Sequence, residues 1–295
     1  LTTHLTLRQL QAFLAVARLG SLAPAAEEQG LSRAALSQSL QELERQLGAT
    51  LFDRSGYRLR LNACGETLLP LADELLTRAL QIEQQFARAD ALPTRLRLGA
   101  SDTIGNYLLP RLVAELMTRF PDVHVEAEIH NSQTLCAQLQ RYELDLALIE
   151  GEVLDQGLTA TPWQEDELWV VAPRDWTWPQ GEDAGWAALG KQRWIIREPG
   201  SSSRVQFEQL VLPLLGETPA TLTFNTSEAI VHAVGAGLGC ALVSALAVRE
   251  RVDDGELLRL SLPPRLSRPL TVVRLASRYL APRAAEVLAW LSGKA

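Results

Sequence analysis

Two short amphipathic helical patterns joined at Gly30, a long heptad-patterned segment, and strand–helix alternation beyond Arg95 predict a mixed fold. Its parts are an α-helical winged helix-turn-helix over residues 5–64, a linker helix over 65–92 and an α/β domain over 95–295. At 295 residues the chain is long enough to bury more than one core.

The first unit is read from Ser21 to Gly48. Pro24 suits the first position of its opening helix, where a missing N–H costs nothing. Gly30 supplies a left-handed stop, and Ser32 can cap the next helix by accepting a backbone N–H. In that second helix Leu36, Leu40, Leu43 and Leu47 form the buried stripe. Ser32, Arg33, Ala34, Ser37, Gln38 and Gln41 are left on the outer face. Such short or bidentate side chains are what a helix needs to enter a major groove and read base edges. An αα-hairpin with a merely solvated face fits the same spacing. The next residues weigh against it: Thr50–Asn62 reads as two short strands around a Ser55-Gly56 turn, with Arg54, Arg58 and Arg60 at the rim. Arginines on a hairpin beside a reading helix can grip phosphates or a narrow minor groove.

Charge agrees with this division. Residues 1–65 hold seven arginines against five acids, an excess of +2, while the whole chain carries −7, leaving −9 for the remainder. The basic excess sits at the proposed double-stranded DNA contacts, and the acidic remainder discourages indiscriminate binding.

From Gly65 to about Ala91, Leu68, Ala72, Leu75, Ala79, Ile82 and Phe86 alternate spacings of four and three, an a/d seam that fits a dimer. The alternative is a helix packed on its own domain. Pro70 should distort the early turns, and Leu92-Pro93-Thr94 should end the helix as a linker. No apolar run approaches a membrane span, and no basic start precedes an apolar stretch, so a cytoplasmic protein is expected. Three dispersed cysteines, Cys64, Cys136 and Cys240, fit a reducing compartment; buried packing is the expected role, with a redox switch the alternative.

Beyond Arg95, strands are expected at 96–100, 123–129, 144–149, 168–172, 194–197, 222–225, 240–243, 257–260 and 270–275. Helices are expected at 107–119, 132–141, 203–215, 227–236, 244–250 and 282–291. Polar clusters fall where strands run into helices: Ser101 and Thr103; Asn131-Ser132; Ser201-Ser202-Ser203-Arg204; and Thr226-Ser227. Hydroxyls and free N–H groups at converging helix ends make an anion or carboxylate site, which Arg197 or Arg204 could complete. Each Ser or Thr could instead only cap its helix. Glu150 also stands at a strand end, where an acid is awkward for an anion.

An enzyme is disfavoured. The four histidines have no metal-ligand spacing, and neither a nucleophile elbow nor a phosphate-cradling loop occurs; no metal or cofactor is expected. Gly235-Ala-Gly-Leu-Gly239 has the wrong spacing for a dinucleotide fingerprint and reads as close helix-to-strand packing. A transport solute-binding protein is the remaining alternative.

The segment Leu7–Ser21, the Ala25-Ala26 pair, Ala35-Leu36-Ser37, Leu43-Glu44, Leu47-Gly48, Leu51-Phe52-Asp53-Arg54 and Gly65 resemble a LysR-type transcriptional regulator. The resemblance continues through Leu109-Pro110, Phe120-Pro121, Leu144-Asp145-Leu146-Ala147, Ala236–Gly239 and Ser244. Arg33-Ala34 departs from the Gln-Pro common in the family, so operator preference does not transfer. Cys64 stands where Ala is usual. The resemblance implies a two-lobed effector domain similar to type 2 periplasmic binding proteins, with residues 95–166 and 268–295 in one lobe and 167–267 in the other. It implies homodimers that commonly pair into tetramers, promoter DNA and a small-molecule effector as partners, RNA polymerase if the protein activates, and effector contacts at Ser101 and Thr103. The run Ala100–Pro110 resembles the subgroup with sulfur-assimilation and carbon-fixation regulators, which implies a small anion or compact acidic metabolite.

Overall fold

The computed structural model describes residues 4–55, 58–86, 94–153, 155–177 and 185–293. Its first unit is three helices, α1 (Leu7–Leu19), α2 (Leu22–Glu28) and α3 (Arg33–Leu47). Thr6 and Gln9 form a reciprocal capping box that fixes the start of α1. Phe13, Val16, Ala25, Ala26, Leu36, Leu40 and Leu43 fill the core between the helices. Ser32 caps α3 by accepting the Ala35 N–H at 3.1 Å, and Gly30 takes the left-handed turn at φ 64°. Two expectations shift. Pro24 is the third residue of α2, still among the N–H positions a helix leaves unpaired, and Leu47 is exposed because α3 has outrun the core by its last turn.

The hairpin of β1 (Phe52–Ser55) and β2 (Arg58–Leu61) is antiparallel, and Leu59 N–H donates to Gly20 O at the end of α1. The turn residues Gly56 and Tyr57 lie outside the described residues. The linker helix α4 (Ala63–Phe86) starts hard against this unit: a Cβ on Gly65 would lie 2.2 Å from Leu51 O, so only glycine fits. It continues through Pro70 unbroken. The expected stretch to Ala91 and the Leu92-Pro93 linker lie outside the described residues, and Thr94 already belongs to the first strand of the next domain.

The heptad seam divides. Leu68 and Ala72 are consumed by the helix-turn-helix core, so the exposed apolar stripe is Leu71, Leu75, Ile82 and Phe86. A sequence period cannot say which neighbour a helix face meets.

The larger domain has two lobes sharing two long strands. In the first, β3 (Thr94–Ala100) lies between parallel β4 (Val123–Ile129) and β5 (Leu146–Glu150), with helices α5 (Asp102–Tyr107), α6 (Leu109–Arg119) and α7 (Ser132–Gln140) as crossovers. The chain crosses on β6 (Leu158–Pro173) and enters the second lobe through α8 (Trp186–Gly190), β7 (Trp194–Arg197), α9 (Ser202–Gln206), β8 (Thr221–Phe224) and α10 (Ser227–Gly235). It continues through β9 (Ala241–Ser244), α11 (Ala245–Asp253) and β10 (Leu257–Leu260), and returns on β11 (Leu266–Leu275) to α12 (Pro282–Ser292). β6 and β11 pair antiparallel throughout, with a register shift at Leu270/Thr271 where one lobe gives way to the other. Leu98, Ile104, Leu116, Leu148, Val272 and Val287 centre the first lobe; Val170, Trp194, Val211, Val231, Cys240 and Val243 centre the second.

Several elements differ from the expected pattern. Only the apolar end of β6 matches the expected strand, because Leu158–Pro162 are exposed or half-buried with no alternation of period two to mark a strand. The helix expected at 107–119 divides at Leu108, since Pro110 opens a new helix rather than continuing one, and α5 precedes it. The helix expected at 203–215 passes from α9 into a π turn at Phe207–Val211 and a 3-10 turn at Leu212–Leu214, where Pro213 has no N–H to give. Among the glycines near residue 237, only Gly239 is tight: a Cβ there would lie 2.3 Å from Arg193 O, while Gly235 has room. No helix among the described residues is long and apolar enough to cross a membrane.

Candidate nucleic-acid interface and interlobe cleft

The outer face of α3 is built from residues the core rejects. Arg33, Ala34, Gln38 and Gln41 are exposed and Ser37 is half-buried, on the side of the helix opposite Leu36, Leu40 and Leu43. No described hydrogen bond or ion pair ties the side chains of Arg33, Ser37, Gln38 or Gln41 to the rest of the chain. Between α3 and the hairpin runs an open groove of about 720 Å³ lined by Arg33, Ser37, Gln41, Thr50, Phe52 and Arg58. Arg58 and Arg60 are exposed at alternate positions of β2, so both leave the same face of the strand. Arg54 lies on β1 opposite Leu59, and its side chain lies outside the described residues. Two exposed arginines beside a free polar helix face form a surface suited to a polyanion with readable edges.

The second site is the junction between the lobes, and there the polar groups are spent on one another. Glu150, 3 % exposed at the end of β5, accepts from the Thr103 N–H at 2.9 Å and the Ile104 N–H at 3.4 Å. Asp102, 7 % exposed, accepts from the Ser227 N–H at the start of α10 at 2.8 Å. Arg197 meets Asp102 at 3.1 Å and Glu198 at 2.8 Å, and also donates to Ser227 Oγ. Arg268, 2 % exposed on β11, joins both lobes: it pairs with Asp166 at 2.8 Å and donates to Ser203 Oγ, Gln206 Oε1 and Thr103 Oγ1. Ser132 and Ser202 hydroxyls meet across the junction at 2.6 Å, and Asn131 donates to Glu198. Tyr107 hydrogen-bonds Glu228, and burial first and that carboxylate second push its phenol far above its ordinary range. Beside this network a cavity of about 330 Å³ is bounded by Glu150, Glu152, Ser202, Gln206, Gln209 and Arg268.

This corrects the expectation of free N–H groups at converging helix ends. The donors at Thr103 and Ser227 are taken by Glu150 and Asp102, because a buried helix terminus left unpaired would cost free energy. The predicted residues are brought together unevenly. Thr103, Ser132, Arg197, Ser202, Ser203 and Ser227 bond across the junction or to groups that do. Ser101 turns inward, donating to Leu148 O and accepting from Glu150 N–H. Thr226 caps α10, Ser201 is buried without a side-chain cap bond, and Arg204 pairs with Glu208 on its own helical segment. Asp102, Asp166, Gln206 and Arg268 were missed. Arg268 gave no signal because an arginine in Ser267-Arg268-Pro269 reads as a surface residue until β11 carries it between the lobes.

The cysteines divide as burial dictates. Burial pushes the Cys136 and Cys240 thiols up to about 12, and Cys64 is exposed.

Comparison with known proteins agrees with this architecture. Residues 7–66 match the family described as bacterial regulatory helix-turn-helix protein, lysR family, and residues 89–295 match the LysR substrate binding domain. The chain is 36% identical over 278 residues to the uncharacterized HTH-type transcriptional regulator YeiE of Escherichia coli (strain K12), covering 94% of each chain. Among solved structures, a full-length OxyR variant from Pseudomonas aeruginosa superposes with a TM-score of 0.74 at 27% identity, covering 99% of this chain and 95% of the other. The CcmR regulatory domain from Synechocystis, in complex with 2-PG, gives 0.62 at 25% identity over 68% of this chain and 96% of that one.

Proposed function

The chain belongs to the LysR family of helix-turn-helix regulators, and on that premise we propose that it is a sequence-specific transcriptional regulator switched by a small anionic effector. The observation that carries this reading is the unpartnered polar face of α3 beside the arginine-bearing hairpin. Residues 5–64 bind promoter DNA, 65–92 dimerise, and 95–295 hold the effector, with lobes at 95–166 plus 268–295 and at 167–267. Arg33, Ala34, Ser37, Gln38 and Gln41 read base edges, Ser32 orients α3, and Arg54, Arg58 and Arg60 hold the backbone. The exposed stripe of Leu71, Leu75, Ile82 and Phe86 is covered by a second copy, which sets two reading helices on successive major grooves. Such dimers pair into tetramers on promoters in the cytoplasm, and RNA polymerase is a partner where the outcome is activation.

The interlobe cleft is the effector site. Its acids occupy the amide and guanidinium positions an anion would take, so an effector enters by displacing Glu150 or Asp102. The 2-PG bound to the CcmR regulatory domain supports a compact acidic ligand. Nothing in this reading requires catalysis, and a transport solute-binding protein would leave the α3 face without a use.

Selection from fragmented genomic DNA tests the reading. The intact protein should enrich an imperfect palindrome whose half-sites lie about one helical turn apart. Arg33→Ala should still enrich that palindrome, with preference relaxed only at the base pair that Arg33 reads. Enrichment of no sequence by the intact protein would refute it.

A further inference from the structure

Three neighbouring strands each carry a cleft residue at one end, and at the other end their charged residues join a chain that reaches the linker helix through Arg278 and Tyr279. β3 holds Arg97 near its start and runs into Ser101 and Thr103. β5 follows Asp145 and ends on Glu150. β11 holds Arg268 near its start and leads to Arg278 and Tyr279. They are hydrogen-bonded neighbours, β3 parallel to β5 and β5 antiparallel to β11. Five residues of strand span roughly 16 Å.

At the far end the charges form one chain. Arg97 grips Asp145 through its guanidinium at 2.7 Å and its backbone N–H at 2.8 Å. Asp145 also meets Arg278 at 3.2 Å. Arg278 donates from Nε and Nη2 to Asp73 of α4 with two contacts of 3.1 Å, Nη2 being the nitrogen that also meets Asp145, and gives Nη1 to Leu144 O. Asp73 and Arg278 are 8 % and 7 % exposed. Tyr279 lies under Arg78 at 4.3 Å and its hydroxyl meets Gln81, one turn further along α4.

We propose that the Asp73–Arg278 ion pair is a latch by which β3, β5 and β11 transmit the state of the cleft to the linker helix. A buried ion pair is either seated or broken, because a half-open one strands a charge away from water. A packed sheet carries a displacement along its strands instead of absorbing it. The face of α4 held by the latch differs from the stripe of Leu71, Leu75, Ile82 and Phe86, so its release alters the helix that pairs the two copies. The transmission rests on the cleft reading given above; the latch itself does not.

Hydrogen exchange of the full chain tests both. In Asp73→Asn and in Arg278→Gln, amides of residues 73–81 and of 275–279 should exchange about tenfold faster together, the cleft amides of Thr103, Ile104 and Ser227 about threefold faster, and the charge-swapped pair Asp73→Arg with Arg278→Asp should recover part of the protection. Unchanged exchange in either latch segment overturns the latch, and unchanged cleft amides overturn the transmission. Should both single variants lose their fold, Tyr279→Leu, which buries no lone charge, should speed exchange at 77–81 with the rest protected; no change there overturns the latch. Millimolar sulfate and phosphate, as probes of the wild type, should protect the cleft amides and alter exchange at 73–81. Protection confined to the cleft refutes transmission, whereas no protection from either ion refutes the anion reading and leaves the latch and the strand coupling to the substituted chains.

Discussion

The two candidate sites use the same side chains to opposite ends. On α3, Arg33, Ser37, Gln38 and Gln41 have no side-chain bond to the rest of the described residues, while in the cleft Arg197 and Arg268 are tied to acids and the Ser203 and Thr103 hydroxyls accept from Arg268. An arginine held by a buried carboxylate is part of the fold; one held by nothing awaits a partner. The difference teaches where recognition costs stability. DNA can meet α3 without breaking anything, whereas an effector must replace bonds the closed cleft already makes, so its binding couples to lobe geometry.

Two arginine deletions should separate these cases most widely. Arg268→Ala leaves Asp166, 2 % exposed, without its arginine and removes two cross-lobe donations, to Ser203 and Gln206, and one to Thr103, so unfolding in urea should show a loss of about 3–5 kcal/mol. Arg33→Ala should stay within about 0.5 kcal/mol of wild type in the same experiment. A large stability loss for Arg33→Ala would erase the comparison. On DNA the order reverses: Arg33→Ala should cost about 1–3 kcal/mol at the base pair it reads and relax preference only there. Arg58→Ala, from the exposed face of β2, should weaken all sequences alike and reduce the salt slope by about one unit. Titration against the selected site and scrambled duplexes at several salt concentrations distinguishes the two patterns.

How far the sequence could be read follows the same division. The helix-turn-helix was legible because its signals are local: Ser32 as cap, Gly30 as left-handed turn, and Leu36, Leu40 and Leu43 at helical spacing need no distant partner. The cleft was legible only as a set of strand-to-helix junctions. Which donor meets which acceptor depends on contacts far apart in sequence, such as Arg268 with Thr103 and Ser227 with Asp102, and no periodicity encodes them. The linker shows the middle case. Its period was plain, yet Leu68 and Ala72 fill the helix-turn-helix core while Leu75 and Ile82 stay exposed, because period defines a stripe and not its neighbour.

A smaller effect sharpens the claim that the cleft is already filled. Glu150→Gln keeps the size and an acceptor oxygen for the Thr103 N–H but removes the negative charge that competes with an entering anion. Sulfate, as a probe, should bind about tenfold more tightly, equal to about 1.4 kcal/mol, with lobe stability little changed. Affinity that is unaltered or weaker would mean that Glu150 supports the site without blocking it.

The least of these effects lies at the latch, where two carboxylates share one arginine and titrate in opposite directions. Burial raises the Asp73 carboxyl above its ordinary value of 3.8, with Arg278 offsetting only part of that rise. Burial also acts on Asp145, but Arg97 and Arg278 together overcome it and hold the group below 3.8. Between the ordinary and the raised value of Asp73 the folded chain holds more protons than the unfolded one, so its contribution to stability falls as pH rises through that interval. Asp145 contributes fully above 3.8 and loses its contribution as pH falls below it. The two windows therefore lie on either side of 3.8 and do not overlap. Urea midpoints of the wild type at and just above 3.8 should carry a downward slope from Asp73, superposed on the titration of surface carboxylates, and Asp73→Asn should lack that component. The difference curve between the two proteins isolates it. A flat difference across that interval would mean that water reaches Asp73, and that the contact between α4 and the effector domain is looser than a latch requires.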